Sequence, residues 1–215
     1  MQKKRKNLEF TEHSGDFAHL NSEWTKSEQK DEHLETSLKS LQERLKAGDN
    51  AVAAELVDLF YKQMFLYFRR LGHSTDVSED LTQVCFIKAW QHIGQLKNSN
   101  ALKSWMYHIA SNTSKLYWRR HKDNTENLEN FDIADDGLAS HDQIENLEQL
   151  IKLKKAVAAL PFKFRQTIVL HYMHHLTIAQ SAQAAGIRKG TFKSRLSRAL
   201  KRLKDIFSDQ QVEIK

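Results

Sequence analysis

One segment near the end of this chain admits very few structures. From Gly186 to Leu203 the apolar residues Phe192, Leu196, Ala199, Leu200 and Leu203 recur at helical spacing and form a single stripe. Lys193, Ser194, Ser197, Arg198 and Arg202 occupy the rest of the surface, so the helix has one packing face and one cationic face. Just upstream, Thr177 can cap a short helix that carries Ile178, Ala182 and Ala185 inward. Gly186 then permits the tight or left-handed backbone from which Ile187 re-enters the core. The pattern is that of a helix-turn-helix.

A lone basic amphipathic helix is usually a solvated surface element. A capped helix and a glycine turn in front of it point instead to a second helix laid into the major groove of DNA. Arg188, Lys189, Thr191, Lys193, Ser194, Ser197 and Arg198 are then the candidate duplex-reading residues. Charge is distributed accordingly. Leu150 to Lys215 holds 14 Lys or Arg against 3 Asp or Glu, whereas His121 to Gln149 holds 1 against 9. The whole-chain charge of +6 hides this segregation of a phosphate-attracting end from an acidic stretch that DNA repels.

A single proline and seven glycines among 215 residues are too few for a turn-rich β architecture, and long runs of Leu, Ala, Lys, Glu and Gln favour helix throughout. The expected fold class is all-α: two small helical domains joined by a flexible acidic linker, the second containing the helix-turn-helix. The lone cysteine, Cys85, excludes an internal disulfide and fits a small buried hydrophobe. No apolar run reaches the ~20 residues of a membrane span, and Lys3-Lys4-Arg5-Lys6 is not followed by a signal peptide's apolar segment. A cytoplasmic protein is expected.

Residues 1–33 are polar, with scattered Leu8, Phe10, Phe17, Leu20 and Trp24, and read as a disordered extension. The first domain is expected over 34–120. It opens with a helix signalled by Leu34, Leu38, Leu41 and Leu45 and continues with a longer one from Ala51 to Leu71, stopped near Gly72. Ser74 to Asp76 offer caps for a helix carrying Val77, Leu81, Val84, Cys85, Ile87, Lys88 and Trp90. After a polar loop, Gly94 to Asn100, Ala101 to Arg120 should form a helix buried through Leu102, Trp105 or Met106, Ile109, Thr113 and Leu116. The acidic linker covers 121–148 and the second domain 149–210, with Pro161 between its first two helices.

Two segments resemble one family in the order that family requires. Ser78-Glu79-Asp80-Leu81-Thr82-Gln83-Val84-Cys85-Phe86-Ile87-Lys88-Ala89-Trp90, with Trp105-Met106-Tyr107-His108-Ile109-Ala110-Ser111-Asn112 and Arg119-Arg120, resembles the promoter-melting domain of extracytoplasmic-function sigma factors of bacterial RNA polymerase. Leu160-Pro161, Arg165 and Gly190-Thr191-Phe192-Lys193-Ser194-Arg195-Leu196 with Arg198-Ala199 resemble their −35-reading domain. The resemblance implies a non-enzymatic initiation factor without cofactor or metal, monomeric when free, whose partners are core RNA polymerase, promoter DNA and, as a further candidate, an anti-sigma factor. It also implies roles. Asp80, Gln83, Phe86 and Trp90 would dock on the polymerase clamp, although Phe86 and Trp90 suit core packing equally well. Asn98, Ser99 and Asn100 would capture an unstacked −10 base, and Lys103, Trp105, Tyr107, His108, Asn112, Lys115, Arg119 and Arg120 would hold the strand. Trp105 suits burial as well as it suits stacking.

Leu116 departs from the family pattern, standing where relatives carry an acidic or amide residue. Ser181 stands where a large core aliphatic is expected, a change that costs on the order of 1–3 kcal/mol if the site is fully buried. His171, His174 and His175 form a His-x-x-His-His run without nearby Cys, Asp or Glu, and read as surface or partner-facing residues rather than metal ligands. No Gly-rich phosphate loop, nucleophile elbow or His-Glu-x-x-His helix supports an enzyme. The alternative is a stand-alone helix-turn-helix repressor or activator, which leaves the 78–120 segment without a task.

Overall fold

The computed structural model describes Arg44 and residues 51–96, 101–121 and 144–212, and every element among them is helical. Seven α-helices follow one another: α1 Ala51–Arg70, α2 Thr75–His92, α3 Leu102–Arg120, α4 Ile144–Ala159, α5 Phe162–Ile168, α6 Ile178–Ala185 and α7 Lys189–Val212. The 1–33 extension, the first predicted helix apart from Arg44, the 97–100 part of the polar loop and most of the acidic linker lie outside the described residues.

Helix α1 buries Val52, Leu56, Phe60, Met64 and Phe68, one residue every four, and so turns a single stripe inward. It ends where Gly72 adopts φ 94°, after Arg69 and Arg70 in the last turn. Ser74 caps α2 by accepting the Val77 N–H at 3.4 Å. The inner face of α2 is built from small groups, Ser78, Thr82, Cys85 and Ala89, with Leu81. Thr82 satisfies its own hydroxyl by donating to the Ser78 carbonyl at 2.7 Å, so a polar residue sits in this contact without an orphaned group. Cys85 is fully buried, and burial pushes its thiol up to about 12.

Helix α3 packs on α1 and α2 on one side and on α6 on the other. Leu102, Met106, Ile109 and Ala110 are buried, Met106 rather than Trp105 filling the centre, while Trp105 lies half-buried against the core edge. Leu116 is half-exposed.

The second helical group is built around α7, against which α4, α5 and α6 pack. Pro161 separates α4 from α5, as its missing N–H and fixed φ require. Beyond α5 the chain widens into one π-turn, Val169–Met173. His175 then takes a left-handed backbone at φ 51°, unusual for a residue with a Cβ. This turn carries two of the three expected surface histidines inward. His171 Nδ1 lies 2.8 Å from the Leu176 carbonyl, and His174 is buried against α3, while His175 stays exposed. Ser181 is fully buried as well, but its hydroxyl donates to the Leu176 carbonyl at 3.2 Å, which removes the unsatisfied-group part of the expected penalty.

The described residues of both helical groups belong to one compact unit and meet along a seam between α3 and α6.

Candidate nucleic-acid interface

The helix-turn-helix is built as its residues require. Thr177 and Gln180 form a reciprocal capping box: the Gln180 N–H donates to the Thr177 hydroxyl at 3.2 Å, and the Thr177 N–H donates to the Gln180 side-chain oxygen at 2.9 Å. Gly186 ends α6 at φ 69°, and its N–H donates back to Gln183 O at 3.0 Å. Phe192, Leu196, Ala199 and Leu203 are buried along α7. Arg188, Lys189, Thr191, Lys193, Ser194, Ser197 and Arg198 are all exposed, and together they make an uncovered cationic face. Arg198 Nε donates to the Ser194 carbonyl at 3.1 Å, which folds that guanidinium along its own helix. Arg195 differs, being half-buried toward the seam, where its charge combines with burial to lower the Lys115 ammonium.

The face expected to hold single-stranded DNA is arranged differently. Lys103, Trp105, His108 and Lys115 are half-buried, Asn112, Arg119 and Arg120 are exposed, and Tyr107 is only 1% exposed. Several of these residues are engaged by the other helical group. Ser104 Oγ donates to the Gln183 side-chain oxygen at 2.9 Å, and His108 Nδ1 lies 3.1 Å from Gln183 O. Lys115 Nζ donates to Ala185 O at 2.8 Å. The last carbonyls of a helix lack the partner of the regular ladder and carry partial negative charge, so Gln183 O and Ala185 O at the end of α6 offer His108 and Lys115 acceptors like those a phosphate would offer. Gly186 allows this approach: a Cβ there would stand 3.3 Å from His108 Cε1. Asn98, Ser99 and Asn100 lie outside the described residues.

Further along the seam the contacts are buried and polar. Arg165 donates to the Leu71 carbonyl at 2.8 Å and to the Ala158 carbonyl at 2.6 Å. Gln166 donates to the Tyr67 hydroxyl at 3.1 Å, and Arg70 donates to Met173 O at 2.7 Å. None of Tyr67, Arg70, Ser104, Gln166 or His174 was singled out from sequence as contributing here. They pair across 67 to 103 positions, a separation that no local spacing reveals.

A third surface lies on α2. Asp80, Gln83, Val84, Ile87 and Trp90 are exposed, Ile87 at 57% and Trp90 at 42%. Phe86 is half-buried and packs on the core, so the two aromatic residues expected together are divided between interior and surface. Lys88 bends across to donate to Thr113 Oγ1 on α3 at 3.1 Å, tying this surface to α3.

Two family models match the chain in sequence order. Sigma-70 region 2 covers residues 56–124 and sigma-70 region 4 covers residues 150–203, together more than half of the chain. The ECF RNA polymerase sigma factor SigW of Bacillus subtilis (strain 168) is 28% identical over 187 residues, 82% of this chain and 100% of that protein. SigM of the same organism, also named an ECF sigma factor, is 24% identical over 160 residues, 72% of this chain and 94% of that one. Among solved structures, RpoE of Bartonella quintana in complex with the anti-sigma factor NepR is similar with a TM-score of 0.55 and 25% identity, covering 72% of this chain and 96% of that one. CnrH in complex with the cytosolic domain of CnrY shares the fold, with a TM-score of 0.59 at 16% identity over 79% of this chain and 96% of that chain. With both regions present in their proper order and relatives matched over most of their length, the chain belongs to the extracytoplasmic-function group of the sigma-70 family of RNA polymerase sigma factors.

Proposed function

We propose that the three surfaces divide the work of a promoter-directing sigma factor: α2 docks on core RNA polymerase, α7 reads the −35 duplex, and α3 with the loop before it holds the opened −10 strand. The observation that carries this reading is that exposed apolar residues with a carboxylate and an amide, Ile87 and Trp90 with Asp80 and Gln83, stand on a helical group other than the one holding the cationic recognition helix. A stand-alone repressor needs the second group alone. Exposed aliphatic and aromatic side chains of this kind are what a protein interface buries at its centre.

On α7, Lys193 and Arg198 reach base edges or phosphates, with Arg188, Lys189, Thr191, Ser194 and Ser197 around them. Cations on α3 hold phosphates and its aromatic groups meet unstacked bases, while Asn98, Ser99 and Asn100 have the donors and acceptors to read a flipped base. The chain catalyses no reaction itself and acts in the cytoplasm, where its polymerase works. No helix among the described residues is long and apolar enough to cross a membrane. An anti-sigma factor is the natural regulator, since both solved relatives described above are bound to a partner of their own, named in one of them as an anti-sigma factor.

Runoff transcription with core polymerase on a promoter library tests the reading. Promoter-specific transcripts are expected only when the chain and the core enzyme are both present. Tight site-specific binding by the chain alone, with no effect on transcript start sites, would make it a repressor.

A further inference from the structure

His174 occupies an unusual place for an ionisable group. It is buried at the meeting point of the two helical groups, its ring edge-on to Tyr67 of α1 at 5.6 Å and to Tyr107 of α3 at 5.1 Å. Its Nδ1 lies 2.8 Å from the Tyr107 hydroxyl, which in turn donates to the Gln63 side-chain oxygen at 3.4 Å. With its own hydrogen given to Gln63, the Tyr107 oxygen can accept, which fits a proton on Nδ1. Nε2 lies 3.5 Å from the Arg70 guanidinium, which has donors only. Nε2 must therefore be the unprotonated nitrogen. The closed seam accommodates one neutral tautomer, and a second proton would set an N–H and a positive charge against an arginine.

We propose that His174 makes the closure of the two helical groups a proton-sensitive latch: neutral His174 holds α3 against the helix-turn-helix group, and protonation releases it. Arg70 from α1 and Lys103 from α3 act on the ring as cations, His175 is the neighbouring ionisable group, and the other ionisable groups against it are the phenols Tyr67 and Tyr107. Burial first, and then these cations, hold the imidazole well below its usual range in the closed form. Once the groups part, the ring is solvated and regains an ordinary value of about 6.5. The closed form is therefore fully favoured above about pH 6.5 and loses ground as pH falls below it, because only the open form takes up the proton. For one such group the open-to-closed ratio should rise about tenfold between about pH 7.5 and about pH 5.5. The latch concerns closure alone. That its release uncovers a strand-holding face rests on the function proposed above.

Donor and acceptor dyes at Asp76→Cys and Lys201→Cys, both exposed, in a Cys85→Ala background, report the separation of the groups in the full chain. The unaltered latch should show the acid-driven rise in the open fraction at constant helical circular dichroism, and His174→Gln, which cannot titrate, should flatten it. Arg70→Gln keeps the imidazole but removes the cation facing Nε2, and should shrink the response; it also serves if His174→Gln folds poorly. A response in His174→Gln as large as in the unaltered latch, or no pH response in the unaltered latch, overturns the proposal. If acid opens the unaltered latch alone, yet single-stranded promoter DNA gains no affinity, the latch stands and the role given to α3 falls.

Discussion

Along α7 the side chains of Lys193, Ser194, Ser197 and Arg198 stand in solvent, whereas along α3 Ser104, Tyr107, His108 and Lys115 are taken up by the turn and helix of the opposite group. Both helices are polar and cationic on the face turned away from their own core. The difference lies in what surrounds them. Helix α7 is anchored through one stripe and leaves the rest of its circumference free, while α3 is gripped on two sides, by α1 and α2 through Leu102, Met106 and Ala110, and by α6 through small and polar groups. The face proposed to read the duplex is thus uncovered, whereas the face proposed to hold the strand is engaged by the other helical group.

The most severe way to break this contrast is to loosen the anchor of the free reader. Phe192→Ala removes a fully buried ring from the α7 stripe and should cost about 3–5 kcal/mol of stability, read from urea unfolding. Duplex binding should be lost with it. Arg198→Ala and Lys193→Ala act on the exposed face without touching the core. Each should weaken −35 affinity by about 1–3 kcal/mol where it reads a base edge, and lower the salt slope by about one charge where it meets only phosphate. Because α7 is already uncovered, titration of the free chain with −35 duplex should detect the change.

Ser104→Ala sharpens the other side of the comparison. It deletes the hydroxyl that donates to Gln183, a contact of about 0.5–1.5 kcal/mol, and should move the groups toward separation by that amount while leaving the DNA donors of α3 in place. The dye pair described above measures it. A variant as closed as the parent would show that the seam is held elsewhere. The smallest stability effect belongs to Asp80→Ala with Gln83→Ala, below about 0.5 kcal/mol because both side chains are exposed. Holoenzyme assembly on a native gel should nevertheless fall clearly, and unchanged assembly would remove α2 from the polymerase interface.

What could be read from sequence follows the range of the interactions. The α7 stripe, the Thr177 cap, the Gly186 turn and the Pro161 boundary are fixed by neighbours within one or two helical turns, and all four stand in the structure as expected. The seam was not legible. Its donors and acceptors are polar groups that local periodicity assigns to solvent, and only the fold brings them together. The histidine run shows this most clearly. His-x-x-His-His on a regular helix would present imidazoles on the outer face, but the π-turn and the left-handed His175 rotate His171 and His174 inward. Likewise Ser181 reads as a core defect until Leu176 O is seen to accept from it. The same limit divides the −10 residues, since nothing in the spacing of α3 distinguishes exposed Arg119 from enclosed Tyr107.

The seam draws many of its acceptors from the main chain: the carbonyls of Leu71, Met173, Gln183 and Ala185 receive or face donors from the other group. A carbonyl is present whatever side chain its residue carries. The two halves of each contact therefore differ in how they tolerate mutation. Replacement of Arg70, Lys115 or Arg165 removes the contact, while replacement of Met173 or Ala185 by another residue of fitting size keeps it, so sequence change along the receiving edge can remain silent in closure even as it alters the surface that edge shows when the chain is open.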